Sequence, residues 1–260
     1  ELRRFGIDLN LAPCLDVLTE DYSPSIGIRS YGRDPECVAS FGAGRIRTMQ
    51  RGGLSACAKH FPGLGPAALD PHLKLPVIRA SAREIRKRHL RPFAAAIDAG
   101  VHAVMSSHAV YPHLDASDVP ATFSWAIITD ALRRELGFTG RVLTDDLEMD
   151  ALRGLASVGD AAVRAVAAGH DMILVCRNGK AQREAHAALV RAYRTKLLDE
   201  GEMEASLARI RNFLDKRGAR FRPGRPLPEP EGSRLARTVA RKAIRVSKAR
   251  NLLPLAPRGV

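Results

Sequence analysis

Short apolar runs alternate with longer stretches of helical periodicity along most of this chain. Residues 7–17, 54–59, 102–107, 142–145 and 172–176 read as buried strands. Residues 83–99, 124–136 and 160–168 carry amphipathic helical patterns between them. Ser124 stands as N-cap of the second helix, with Gly137 just past its end, and the third stops at Gly169. Strands alternating with helices imply parallel strands and an α/β fold.

Polar residues collect where the apolar runs end: Asp16, Lys59 and His60, Ser107 and His108, Asp145 and Asp146. A (β/α)8 barrel gathers its site at such strand ends, and a doubly wound sheet does so too. No GxGxxG follows any of these strands, which weakens a dinucleotide site. Five strands are evident where a closed barrel needs eight. The expected fold is therefore a (β/α)8 TIM-type barrel, N-terminally incomplete in this chain and followed by the start of a second domain. Residues 1–218 are assigned to the barrel. Residues 219–233, rich in Pro and Arg, read as a linker. Residues 234–260 begin a C-terminal domain, opening on an amphipathic helix through Leu235, Val239 and Ala243. The opening ELRRFGID is no signal peptide and lacks an initiating Met, so the chain is expected to start inside a longer gene product.

Composition adds bounds. Apolar residues make up 45% and aromatics only 5%, so the core must be built from Ala, Val, Leu and Ile. No window has enough consecutive apolar residues to span a bilayer. The net charge is +13, and residues 201–260 alone hold 15 Lys/Arg against 5 Asp/Glu. Few aromatics interleave these cations, so solvated helix faces are favoured over nucleic-acid binding. Cys14, Cys37, Cys57 and Cys176 show no metal-ligand spacing. They are read as buried free thiols in a reducing compartment, with no metal and no cofactor expected, and the cytoplasm as the location.

The chemistry-bearing residues each admit two readings. Asp145 and Asp146 end a strand. Adjacent residues of an extended chain point apart, so one of the two faces a site, unless both simply cap the next helix. Asp70 and His72 share a loop, KHFPGLGPAALDPHLKLP at residues 59–76. The Asp can orient the imidazole as an acid/base, or it can close an Asx-turn at Asp70-Pro71. Lys59 and His60 bind sugar hydroxyls, or Lys59 snorkels from the core. Arg29 is a ligand clamp or an exposed cation. Asp16 is an acceptor for two adjacent hydroxyls or a cap. His108 is favoured as a structural hydrogen-bonder, and His89, His102, His113, His170 and His186 form no ligand spacing. The 64–72 loop, rich in Gly and Ala, is expected to be mobile, with only Leu64 and Leu69 to anchor it.

Taken together, residues 6–213 resemble glycoside hydrolase family 3, and within it the β-N-acetylglucosaminidase (β-hexosaminidase) subgroup. GIDLNLAPCLDV is similar to the family's GID-x-x-x-APVLD, whose Asp contacts the sugar; here it is Asp16. IGIRSYGRDP is similar to the segment carrying a sugar-contacting Arg, here Arg29. KHFPGLG resembles KHFPGHG, whose Lys and first His bind substrate, here Lys59 and His60. D-P-H resembles D-S-H, the subgroup's acid/base pair, here Asp70 and His72. TDDLEM resembles the nucleophile segment, whose first Asp is Asp145. Two departures stand out. The second His of KHFPGHG is Leu64, and Pro66-Ala67-Ala68 replace polar residues that follow it. The family's first strands, with a Glu-Gly-Gly segment, have no counterpart here.

The resemblance implies a retaining glycosidase that releases terminal β-linked N-acetylglucosamine from cell-wall or chitin-type oligosaccharides. Its carbohydrate substrate would be attacked by Asp145 to form a covalent glycosyl intermediate. The alternatives are a β-glucosidase, a phosphorylase of the same family, and a non-catalytic sugar-binding relic. Asp70 and His72 argue against the glucosidase.

Overall fold

The computed structural model describes residues 2–19, 23, 25–67, 70, 71, 73–218 and 229–243. Five strands form one sheet in sequence order: β1 (Leu9–Asn10), β2 (Ser55–Phe61), β3 (Ala103–Ser106), β4 (Arg141–Asp146) and β5 (Met172–Leu174). Every neighbouring pair is parallel. The sheet with its flanking helices is a half-barrel, the expected α/β architecture.

The strand expected over residues 7–17 shrinks to two residues, because Pro13 has no amide to donate to a ladder. Extended chain nevertheless continues alongside β2. Cys57 donates to the Ala12 carbonyl at 2.9 Å, and Leu15 donates to the Lys59 carbonyl at 2.6 Å. β5 likewise stops before Cys176, whose amide turns to the Asp146 side chain at 3.2 Å.

Helices α1 (Pro35–Arg51), α2 (Ala82–Glu84), α3 (Arg91–Asp98), α4 (Val158–Ala168), α5 (Gly179–Arg194) and α6 (Glu200–Gly218) flank the sheet. A wide π-type turn, Ile85–His89, joins α2 to α3, and a second π-type helix covers Ala126–Glu135. α1 has no strong apolar signature, because its buried face is Val38, Ala39, Gly42, Ala43 and Ile46. Its start is set by Asp34, which accepts the Glu36 amide at 3.1 Å, and by Pro35 in the first turn. α4 and α5 pack through small residues. Ala161, Ala162 and Ala165 are buried on α4, and Ala181, Ala185, Ala188 and Ala192 on α5. Gly159 lies so close to Ala188 that an added Cβ would meet the alanine methyl at 3.0 Å. In the main core Phe61 meets Phe93 edge-on, with ring centroids 5.2 Å apart, which locks β2 to α3.

Residues 7–221 form one compact unit, and residues 1–6 with 222–260 form another. In the latter, residues 2–5 make one 3-10 turn and α7 (Glu229–Ala243) is a basic amphipathic helix. α7 starts before the expected residue 234. Pro230 is tolerated in a first turn, where its missing amide has no partner to lose. Residues 219–228 of the expected linker lie outside the described residues.

Asp171, whose side chain is fully buried before β5, accepts from Arg133 Nη2 at 2.7 Å, Arg209 Nε at 2.9 Å and the Val142 amide at 2.8 Å. It ties α6 and the Ala126–Glu135 helix to the starts of β4 and β5. Removing it strands two guanidinium groups, so Asp171→Ala is expected to cost about 3–5 kcal/mol in urea unfolding. Asp150→Ala, which breaks an exposed pair with Arg153, should cost no more than about 1 kcal/mol. Equal losses for the two variants would contradict this assignment.

Candidate active site

β2 breaks register at its C-terminal end. Lys59 pairs with Met105 and Phe61 with Ser106, so His60 is passed over. Bulges of this kind re-aim a side chain at a strand end. The His60 imidazole lies against Asp16, with Nδ1 at 2.7 Å from Oδ2.

Asp16 is fully buried. Besides His60 Nδ1, Oδ2 accepts from the Cys14 thiol at 3.1 Å. Oδ1 accepts the Leu64 amide at 2.6 Å and faces the His60 amide at 3.4 Å. Burial alone would raise the Asp16 pKa, but His60, the Leu64 amide and the Cys14 thiol hold it below the ordinary carboxylate value. Of the two readings of Asp16, acceptor for adjacent hydroxyls or cap, the described contacts are all with protein donors. Its lone pairs are taken by protein donors, and what it does is hold His60 and the loop that follows.

On its other side His60 presents Nε2 to Asp145 Oδ2 at 3.8 Å, an ion-pair separation beyond hydrogen-bond length. Asp145 is a quarter exposed. Burial would raise its pKa, yet His60, the Asp146 amide and Lys59 keep it below the usual carboxylate value. Asp146 turns the other way. Its Oδ1 accepts the Glu148 and Cys176 amides, both at 3.2 Å. Spacing alone left the two aspartates equivalent and the resemblance pointed to Asp145; the structure puts Asp145 against His60 and makes Asp146 a cap of the β4 and β5 ends.

Lys59 is half-buried on β2, and its charge reaches Asp145. Arg29 sits exposed on a 3-10 turn (Gly27–Arg29), and its Nη2 donates to the Ser25 carbonyl at 2.5 Å. Its positive charge is felt at the Cys14 thiol. Asp70 is half-buried, and its carbonyl accepts the Leu73 amide at 2.9 Å and the Lys74 amide at 3.0 Å. His72 lies outside the described residues.

The described parts of the loop are better anchored than its composition suggested. Leu64, Ala67 and Pro71 are buried, Leu64 within the main core. The Pro71 carbonyl accepts the Ala151 amide at 3.1 Å, joining the loop to the segment after β4. Leu64 therefore replaces a polar side chain with apolar packing.

Further polar residues frame the site. His108 is buried, as its structural reading required. Its Nε2 donates to the Asp146 carbonyl at 3.0 Å, and the Thr122 hydroxyl at 2.6 Å serves Nδ1. Burial lowers its pKa, consistent with a neutral ring. His170 is not incidental. Nδ1 donates to the Ala165 carbonyl at 2.9 Å, Nε2 accepts the Ser106 hydroxyl at 2.8 Å, and burial pushes its pKa down to about 4. His89 is buried directly behind Gly63, where a Cβ on the glycine would meet the His89 Cβ at 2.7 Å. Glu148 Oε2 accepts the Arg177 amide at 2.6 Å and the Asn178 amide at 3.1 Å, steadying the turn into α5. The cysteines divide rather than being uniformly buried. Cys14 and Cys57 are buried, Cys37 is half-buried and Cys176 is exposed.

Fold and site together define a parallel α/β half-barrel that sets a carboxylate-held histidine against a second, ionised carboxylate at the strand ends. The chain belongs to glycosyl hydrolase family 3: the model for that family's N-terminal domain matches residues 1–213. A β-hexosaminidase from Thiobacillus denitrificans is 38% identical over 191 residues, 73% of this chain and 52% of that protein. Among solved structures, a family 3 β-N-acetylglucosaminidase from Paenibacillus superposes with a TM-score of 0.83 at 38% identity. It covers 88% of this chain and 43% of that one. The β-glucoside phosphorylase BglX superposes with a TM-score of 0.88 at 25% identity, covering 99% of this chain and 49% of that one. The chain thus spans about half the length of these relatives.

Gly65 is the tightest point under the loop, because a Cβ there would lie 1.8 Å from the Val17 carbonyl oxygen. Backbone on both sides leaves little freedom to yield. Gly65→Ala is expected to cost roughly 1–3 kcal/mol and to lower the melting temperature. Gly44→Ala, with open space around it, should be neutral or slightly stabilising in α1. Equal melting temperatures for Gly65→Ala and the parent would refute the close approach.

Proposed function

We propose that the protein carrying this chain is a retaining β-N-acetylhexosaminidase acting on terminal β-linked N-acetylglucosamine of cell-wall or chitin-type oligosaccharides. The observation that carries the reading is the separation of the two aspartates. Asp145 stays ionised against His60, while Asp146 is spent on backbone amides. An ionised carboxylate at the floor of a strand-end site is the group needed to attack an anomeric carbon.

In this scheme Asp145 Oδ2 forms the glycosyl ester as the leaving-group oxygen takes a proton from His72, with Asp70 as the partner that raises the imidazole's basicity. Water then attacks the same carbon, gives its proton to His72, and releases Asp145. Lys59 and Arg29 supply cationic donors for the sugar. His60, held by Asp16, stands beside the nucleophile. Residues 1–218 would be the catalytic barrel, 219–233 the linker and 234–260 the opening of a second domain. Free cysteines fit the cytoplasm as the place of action. Among the described residues no helix is long and apolar enough to cross a membrane.

The likeness to a β-glucoside phosphorylase supports one second reading, in which phosphate replaces water in the second step. A histidine acid/base is neutral after giving up its proton, so it repels an incoming phosphate less than a carboxylate would.

The test uses chromogenic N-acetyl-β-glucosaminide and β-glucoside, each with and without inorganic phosphate. Hydrolysis of the first, unchanged by phosphate, is the expected result. Turnover only with phosphate establishes the second reading, and no turnover of either sugar overturns both. Asp145→Ala should lose at least ~10³-fold in kcat, and Asp146→Ala far less. A mechanism-based fluorosugar should label Asp145; labelling of Asp146 would reverse the assignment.

The pH profile follows from the depressed pKa. Asp145 acts in its ionised form, and its pKa lies below the ordinary 3.8. Activity that depends on it is present above that value and lost only as pH falls through it. The acid limb due to Asp145 in kcat/KM should therefore lie below about pH 4. A loss centred between about pH 5 and 7 that moves in an Asp145→Glu variant would contradict this.

A further inference from the structure

We infer that Cys14, Asp16 and His60 form a binding site for a soft divalent cation of the zinc class, with the Cys14 thiolate as its distinguishing ligand. Among the described residues these three make up a group whose donor atoms all lie within 4.8 Å of one another. Asp16 Oδ2 is 3.1 Å from Cys14 Sγ and 2.7 Å from His60 Nδ1. All three residues are nearly or fully buried, at 7%, 0% and 4% exposure, so the donors do not compete with bulk water. Thiolate, imidazole and carboxylate are the ligand set of zinc and its heavier congener cadmium.

Two of the three donor separations require little adjustment. Metal–ligand bonds of ~2.0–2.3 Å in a tetrahedron put donor atoms about 3.3–3.7 Å apart. The present hydrogen-bonded separations must open by roughly half an ångström to reach that spacing. On binding, the thiol gives its proton to solvent, and Oδ2 exchanges its two hydrogen bonds for one metal bond. Three protein ligands leave the fourth position to water.

Cys14 makes this a property of this chain. The family segment it resembles has Val at that place in APVLD, and a valine has no donor. The sequence expectation of no metal came from cysteine-to-cysteine spacing. That spacing cannot register a Cys and an Asp two residues apart that meet a His 44 residues beyond Asp16. A consequence rests on the proposed function: a cation that takes both Asp16 Oδ2 and His60 Nδ1 shifts the imidazole from its 3.8 Å contact with Asp145. Bound metal should then inhibit reversibly.

The test titrates the chelator-treated, full protein with Cd²⁺, whose bond to a thiolate gives an ultraviolet charge-transfer band. One equivalent should raise the band, Zn²⁺ should compete it away, and a chelator should reverse it. The band should vanish in Cys14→Val and in Cys14→Ser, the second differing from the parent by one atom. It should persist in Cys176→Ala, which removes the exposed thiol. Affinity in Cys14→Ser, measured by calorimetry, should fall by more than the roughly 10–100-fold that losing an outer hydrogen-bond partner costs a metal site. Circular dichroism of Cys14→Ser matching the parent confirms that the fold is intact. A band that survives in folded Cys14→Ser, or no band at one equivalent in the parent, overturns the site. The readout is independent of turnover. A Cys14-dependent band in a protein inactive without metal refutes the functional reading and leaves the site standing. An active protein with no band does the reverse.

Discussion

A carboxylate with no contact with solvent must be matched by donors on every side, or its burial costs several kcal/mol. Asp16 is in that position, and three stretches of chain answer it. Cys14 comes from its own strand extension, His60 from the bulge at the end of β2, and the Leu64 amide from the loop beyond. The extended run beside β2, the register break at His60 and the close approach of Gly65 to Val17 all place those donors. His60 reaches Asp145 only because Asp16 stands behind it.

The strand ends then divide labour by direction. Alternate residues of β4 point to opposite sides, so Asp145 takes the open side and Asp146 the strand-capping side. His108 and His170 carry no charge in this frame. Each donates one ring proton to a backbone carbonyl and has a hydroxyl oxygen within hydrogen-bond distance of the other nitrogen, so both ring nitrogens of these buried rings have partners. At the opposite end of the sheet the buried Asp171 performs the same service for Arg133 and Arg209. Among the described residues a compensated buried carboxylate thus sits at each end of the half-barrel, Asp16 at one and Asp171 at the other. Only the one at the C-terminal ends of the strands touches a second, partly exposed acid.

The sequence by itself determined the parallel α/β order, because strands buried on both faces leave continuous apolar runs that need no partner to be seen. It also determined where helices cap, through Ser124, Gly137 and Gly169, and that polar residues gather at the ends of the runs. α1 was hidden, since a helix face of Ala and Gly has little hydrophobic contrast; it is buried because small residues allow close helix contact. Only the tertiary structure showed that Asp145 rather than Asp146 lies against His60, and that Asp16 accepts from that histidine and from the Leu64 amide. It alone brought Cys14 into the same cluster. Each of these depends on contacts between residues tens of positions apart, and local periodicity carries no information about such contacts.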